Sequence, residues 1–179
     1  MSLQARVRNA DFLSRRMSAA QAAQLIEHGA TLGLSGFTGA GYPKALPQAI
    51  AERARAEHAA GRPFQVNVWT GASTAPEVDG ALAQAGAMAQ RLPFNSDAST
   101  RQQINAGTID YIDMHLSHVA QQAWFGFLGK LDVAIVEVAG ITPDGRLIPS
   151  TAVGNNKTWL EVADKVILEV NTRLPEGIE

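Results

Sequence analysis

The residues best suited to chemistry lie between Thr31 and Pro47, in the run TLGLSGFTGAGYPKALP. Three glycines, Gly36, Gly39 and Gly41, follow a short apolar stretch and Ser35, and precede Lys44 and a helix that opens on proline. Strand, glycine loop and helix N-terminus in this order gather backbone N–H groups around one concave point with no side chains in the way, which suits an anion or a polarised carbonyl. A tight strand-to-helix turn that binds nothing has the same signature. The spacing G-x-x-G-x-G is the reverse of the dinucleotide fingerprint, and the next strand ends at Thr70 where a nicotinamide site wants an acid for the ribose. Lys44 follows Pro43 rather than a glycine, which excludes a phosphate-binding P-loop, and Phe37 breaks G-x-S-x-G at its fifth position, which makes Ser35 a poor nucleophile.

Other candidates are weaker. His115 and His118 are three apart and able to share a helix face, but no cysteine or third well-placed ligand accompanies them, so a hydrogen-bonded or cleft-facing role outranks a metal. Asp132 and Glu137 flank an apolar strand. Glu137, near a strand C-terminus, stands where an α/β enzyme places a catalytic carboxylate, and a structural ion pair at the sheet edge is an equal reading. After Gly154, Asn155, Asn156 and Lys157 can cap a helix or hold a ligand's polar end, with capping the better reading for Asn156.

Composition narrows the class of partner. The 179 residues are 46% hydrophobic and 18% charged, enough for one domain or most of one. A net charge of -2 leaves no basic footprint for nucleic acid or an anionic membrane. The absence of cysteine removes disulfides, thiolate metal sites and a cysteine nucleophile, and makes the cytoplasm the default setting. No apolar run reaches the length of a membrane helix. The basic start, MSLQARVRNADFLSRR, lacks the apolar core of a secretory signal, and Met1–Leu3 are set aside from the fold as a possible cloning remnant.

The elements that must position these residues alternate. Ser18 with Gln21 forms a capping box before a helix that Gly29 closes. Thr31–Leu34 predicts a strand, and Pro43 or Pro47 opens a helix to Ala60. Phe64–Thr70 alternates with period two. Gly71–Thr74 is a small-residue loop before a helix Glu77–Ala85 that starts at Pro76. Ala87–Asp97 reads as irregular, with RLPFN an exposed connection, followed by a short helix Ser99–Ala106 and a strand within Ile109–Met114. Ser117 is the predicted cap of a helix Val119–Leu128 whose Val119, Ala123, Phe127, Trp124 and Leu128 side must be buried, with Trp124, Phe125 and Phe127 filling core or interface. Leu131–Ala139 is a β-branched run typical of a strand covered on both faces. A turn at Pro143–Gly145, a helix around Thr158–Ala163 and a strand Lys165–Val170 complete an α/β fold, an open, mostly parallel sheet with helices on both faces. RLPEGIE lacks termination logic after a buried strand and reads as a chain cut within the fold.

Beyond these local features, SGFTGAGYPKALP from Ser35, TGAST from Thr70, RLPF from Arg91, INAGTIDYIDMHLSHVAQ from Ile104 and STAVGNNKTWLEVADKVILEVN from Ser150 resemble, in order, successive blocks of the acetyl-CoA hydrolase and succinyl-CoA:acetate CoA-transferase family. The resemblance spans nearly the whole chain. It implies the N-terminal domain of a two-domain enzyme, residues 1–179, that moves coenzyme A between an acyl-CoA and a carboxylate such as acetate or succinate, or hydrolyses acetyl-CoA. In the family a glutamate attacks the thioester and becomes a glutamyl-CoA thioester. That glutamate follows a Q-S-G-x-G-N segment absent from these residues, so no catalytic residue is assigned and Glu137 is not promoted. The resemblance carries over a cleft contribution from Gly36, Phe37, Thr38, Gly39, Ala40, Gly41, Tyr42, Pro43 and Lys44, from Thr70, Gly71, Ala72 and Ser73, and from Gly154, Asn155 and Asn156. It implies no permanently bound cofactor, with the coenzyme A thioester entering as substrate, and the apolar surface a partner domain should cover leads to an expected homodimer. The competing expectations are a non-catalytic α/β module that holds an anion at the Gly36 loop, and a structural half that pairs with another subunit.

Overall fold

The structure is a computed structural model that describes residues 2–175. In chain order it comprises α1 (Leu3–Arg6), α2 (Ala10–Ser14), α3 (Ala19–Ala23), β1 (Thr31–Leu34), the short β2 (Phe37–Thr38), α4 (Ala45–Ala59), β3 (Val66–Trp69) and the short β4 (Ala72–Ser73). A π-helical turn, Pro76–Gly80, continues into α5 (Ala81–Gln84), followed by β5 (Met88–Leu92), α6 (Ala98–Asn105), β6 (Asp110–Tyr111) and α7 (Leu116–Trp124). The last elements are β7 (Val133–Ile141), β8 (Leu147–Pro149), α8 (Asn156–Val162) and β9 (Lys165–Val170).

The strands β6-β5-β3-β1-β7-β9 lie side by side and parallel, and β8 returns antiparallel along the far half of β7. All nine residues of β7 are buried, as expected of a strand covered on both faces. Its side chains alternate between two apolar layers. Val133 and Ile135 join the cluster with Leu32, Leu34, Val66, Val68, Ile50 and Leu82, under α3, α4 and α5. Ala134, Val136 and Val138 join the opposite cluster with Trp69, Leu92, Val119 and Trp159, under α7 and α8. The open parallel sheet with helices on both faces is therefore as expected from the alternation of elements.

Several local expectations need correction. Ala87–Asp97 is not irregular: Met88–Leu92 forms β5, and within the expected exposed connection Arg91 and Leu92 are fully buried. The polar pair Gln90-Arg91 hides the strand from a periodicity count, because Arg91 is buried on the strength of a distant carboxylate. The cap of α7 is His115, whose Nδ1 accepts from the Ser117 N–H, rather than Ser117. Only Val119 and Ala123 of that helix are buried, whereas Trp124, Phe125 and Phe127 are 51%, 63% and 74% exposed, so the expected buried aromatic side faces outward among the described residues. Ser2 and Leu3 do belong to the fold: Ser2 Oγ caps α1 and Leu3 packs on the second core cluster. Of RLPEGIE, Glu176–Glu179 lie outside the described residues. No helix among the described residues is long and apolar enough to cross a membrane.

Candidate active-site wall

β1 lies between β3 and β7, and the chain leaves it in two directions, through β3, β5 and β6 on one side and β7 and β9 on the other. β1 therefore stands at a switch point of the sheet, and the carboxyl ends of the strands beside such a point are the usual place for a ligand in an open α/β sheet. Leu34, the last residue of β1, pairs with Ile135, so Val136 and Glu137 run on past the end of β1 into this region.

Three loops meet there. In the first, Phe37 and Thr38 pair in parallel with Ala72 and Ser73 of the second, so the loops after β1 and β3 sit side by side at one edge of the sheet, as parallel strands require. The third, Ser150–Asn155, closes on the first: the Asn155 N–H donates to Ser35 Oγ at 2.5 Å. Two glycines make the contact possible. Gly41 has φ +68, and a Cβ on it would stand 2.6 Å from the Ala152 nitrogen. Gly154 has φ +52, and a Cβ there would run into Ser35 Oγ and stand 2.7 Å from the Gly36 carbonyl. Left-handed backbone and close backbone approach both demand the absence of a side chain. Thr38, a β-branched residue, also lies at positive φ (47°), a conformation that costs energy and that tertiary contacts must hold. Asn155 Nδ2 is buried, has no hydrogen-bond partner among the described residues and stands 3.1 Å from the Cβ position of Gly71.

The exit of the first loop is held by two carboxylates. Glu137 and Glu169 are directly paired positions on β7 and β9. Glu137, 2% exposed, accepts from Lys44 Nζ at 2.6 Å and from Asn171 Nδ2 at 3.3 Å. Lys44 Nζ also donates to the Tyr42 carbonyl at 2.7 Å and lies 4.1 Å from the centre of the Tyr42 ring. Glu169 accepts from the N–H groups of Lys44 at 2.7 Å, Ala45 at 3.0 Å and Leu46 at 3.0 Å. These are first-turn amides of α4, which have no partner inside the helix, and a carboxylate is the favoured group to meet them. The helix N-terminus that the sequence offers to an external anion is thus occupied by a side chain of this chain. Anion binding there by α4 is corrected accordingly.

Tyr42 is buried and its hydroxyl donates to Glu77 Oε2 at 2.8 Å. Burial, reinforced by the adjacent Glu77 carboxylate, pushes the phenol from its ordinary 10 up to about 12. The folded protein therefore holds this proton more tightly than the unfolded chain does, so stability is retained below pH 10 and falls as pH rises from about 10 to about 12. Tyr42→Phe is expected to flatten that part of the curve, removing a loss of about 2 kcal/mol. Denaturant midpoints of both proteins across this alkaline range provide the check, and parallel curves would refute the assignment.

The loop after β3 rests on a buried pair. Arg91 Nε donates to Asp79 Oδ1 at 2.6 Å with both side chains wholly inaccessible, and Arg91 also donates to Thr70 Oγ1 at 2.9 Å and to the Leu92 carbonyl. Asp79 Oδ2 accepts from the Ala75 N–H at 3.0 Å. The end of β3, the π-helical turn and β5 are locked together by this network.

The structure pairs Phe37 and Thr38 with Ala72 and Ser73, sets Gly154 against Gly36 and Asn155 against Gly71, and brings Gly41 against Ala152, whereas Lys44 turns to Glu137 and Glu169. Phe37, Thr38 and Gly39 form an exposed tip, with Ala40 bonded back to Phe37. Asn156 does not cap: it is the first residue of α8, its Oδ1 is buried with no partner among the described residues, and the cap position, Asn155, makes no side-chain cap bond. His115 and His118 stack at 5.3 Å, and no group of three potential metal ligands occurs among the described residues. Sequence reasoning missed Glu169 and Glu77. The only signal for Glu169 was an acid near the carboxyl end of a strand that is apolar from Val166 to Leu168.

The site is thus a glycine loop at the end of the first strand, braced by a second small-residue loop and a G-N-N segment. The family model of the acetyl-CoA hydrolase/transferase N-terminal domain matches residues 1–178, and the chain belongs to that family. It is 45% identical over 156 residues to a propanoyl-CoA:succinate CoA transferase of Escherichia coli, covering 87% of this chain and 32% of the relative. It is 41% identical over 174 residues to a succinyl-CoA:acetate CoA-transferase of Clostridium kluyveri, covering 97% and 32%. An acetyl-CoA hydrolase of Saccharomyces cerevisiae is 36% identical, with coverage of 98% and 35%. The chain thus spans about a third of the length of these curated relatives. Among solved structures, RipA from Yersinia pestis superposes with a TM-score of 0.66 at 21% identity, covering 89% of this chain and 37% of that one. Glutaconate coenzyme A-transferase from Acidaminococcus fermentans superposes with a TM-score of 0.62 at 13% identity, covering 86% and 68%. These two likenesses carry the fold.

Proposed function

We propose that this chain is the N-terminal domain of an enzyme that exchanges coenzyme A between an acyl-CoA and a carboxylate such as acetate or succinate, or hydrolyses acetyl-CoA, and that it supplies one wall of the active-site cleft. The observation that carries this reading is the meeting of three separate family-like segments, 35–44, 70–73 and 150–156, at the switch point of the sheet. Supporting it, the relatives named above act on propanoyl-, succinyl- and acetyl-CoA.

The chemistry is a double displacement. A glutamate outside these residues attacks the acyl carbonyl carbon, the C–S bond breaks, and coenzyme A leaves as thiolate from an acyl-glutamyl anhydride. The thiolate then attacks the glutamyl carbonyl, which forms the glutamyl-CoA thioester and expels the first carboxylate. The acceptor carboxylate reverses the sequence, and water in its place gives hydrolysis. In this scheme the residues from Gly36 to Lys44, from Thr70 to Ser73 and from Gly154 to Asn156 shape the cleft and hold the thioester, with the buried Asn155 amide a donor for a carbonyl oxygen. The thioester is a substrate, and no resident cofactor is part of the scheme. A second α/β domain carries the nucleophile, the exposed aromatic surface of Trp124, Phe125 and Phe127 favours assembly as a homodimer, and the cysteine-free composition suits the cytoplasm.

The 179-residue chain by itself is expected to show no turnover, because positioning accelerates nothing without a group that becomes acylated. Purified chain and full-length gene product are incubated with acetyl-CoA and succinate, coenzyme A transfer is followed, and covalent glutamyl-CoA is sought by mass spectrometry. Transfer by the full-length protein alone supports the reading. Turnover by the short chain, an adduct on Glu137, or an inactive full-length protein overturns it.

A further inference from the structure

We propose that Glu169 is a positioning residue: its carboxylate acts as a built-in anion at the N-terminus of α4 and sets the geometry of the loop from Ser35 to Lys44. The loop is tethered at its start by Ser35 Oγ, which accepts from the Asn155 N–H, and its middle is braced by the parallel pairing of Phe37–Thr38 with Ala72–Ser73. At its exit both handles of Lys44 are taken by adjacent strands, the backbone N–H by Glu169 and the ammonium by Glu137. Glu137 and Glu169 are register partners, so the sheet itself fixes the spacing between these two anchors. Two like charges placed opposite each other disfavour a sheet unless each is compensated. Here the compensation is the loop exit, through an ammonium for one carboxylate and three helix amides for the other. A second consequence concerns substrate: the amides of Lys44, Ala45 and Leu46 are committed to Glu169, so phosphate or carboxylate groups of a substrate are bound elsewhere in the cleft.

The catalytic part of the test rests on the proposed function, and amide exchange reads the clamp without substrate. In the full-length gene product, Glu169→Ala is expected to speed hydrogen exchange at Lys44, Ala45 and Leu46 and to lower kcat by about tenfold or more, as misplacement of a site does. KM for acetyl-CoA stays within about twofold, since the lost interaction is one of geometry rather than of substrate binding. Glu169→Gln, which keeps an acceptor, falls between. Asp97→Ala, which removes the side-chain cap of α6, controls for stability loss at a helix end away from the loop. Unchanged exchange at the three amides, or a kcat loss no greater than that of the Asp97 control, overturns the proposal. An unaltered full-length enzyme without coenzyme A exchange overturns the functional reading instead, and leaves the clamp to be decided by amide exchange.

Discussion

Asp79→Leu is expected to lower stability by about 3–5 kcal/mol, because it leaves a buried guanidinium without its counter-charge. Both members of the Arg91–Asp79 pair are inaccessible to solvent, and water cannot take over for the missing carboxylate. Asp79 also accepts from the Ala75 N–H, so the substitution strands a backbone donor as well. The double variant Asp79→Leu with Arg91→Met is expected to recover most of the loss, since apolar replacement of a whole buried pair is often close to neutral. Urea unfolding of the single and double variants reads both effects. A single variant that loses less than about 1 kcal/mol, in the range of an exposed pair, would show that the guanidinium reaches solvent.

Gly41→Val and Gly39→Val are expected to differ sharply although the two glycines are neighbours in one loop. At Gly41 a Cβ meets the Ala152 nitrogen at 2.6 Å and the Ala152 carbonyl oxygen at 2.7 Å, on a backbone with φ +68. Both contacts are backbone atoms of the 150–155 loop, so relief requires moving one loop against the other. A strain of about 1–3 kcal/mol follows. A shift of the wall by about 1 Å is expected to reduce coenzyme A transfer by the full-length enzyme by about a hundredfold. Gly39 has nothing within 4 Å of its Cβ position and no positive φ, so valine there should leave both stability and transfer within a few-fold of the unaltered enzyme. Thermal midpoints and steady-state rates of the two variants decide it. Equal losses in both would mean that the contact between the loops does not shape the site.

The layered α/β architecture was legible in the sequence because burial on both faces of β7 needs a largely apolar run, and Val133–Ile141 is one in which Glu137 is the single charge. The capping box at Ser18 was equally legible, since the Ser18 and Gln21 exchange is completed within four residues of chain. The candidate site was proposed from three small-residue segments, and the side-by-side loops after β1 and β3 follow from parallel strands delivering their loops to one edge of the sheet. Gly41 and Gly154 are where that reading acquires a steric reason.

Three failures of local reading trace to a partner distant in sequence. β5 was unreadable because Gln90 and Arg91 lie within it, and an arginine can be buried there only once Asp79 stands against it, 12 residues away. Lys44 belonged to the family-like segment with no partner legible, and Glu137, 93 residues on, accepts from its ammonium. The N-terminus of α4 looked open to a ligand, and Glu169, 125 residues from Lys44, fills it. The amino-acid sequence by itself determined β1, β3, β7, β9 and α4 and which residues turn without side chains, because those depend on periodicity and on glycine and proline stereochemistry within a few residues. Only the tertiary structure decided which charges are buried and what each one holds, because the cost of desolvating a charge is set by the partner that the fold carries to it.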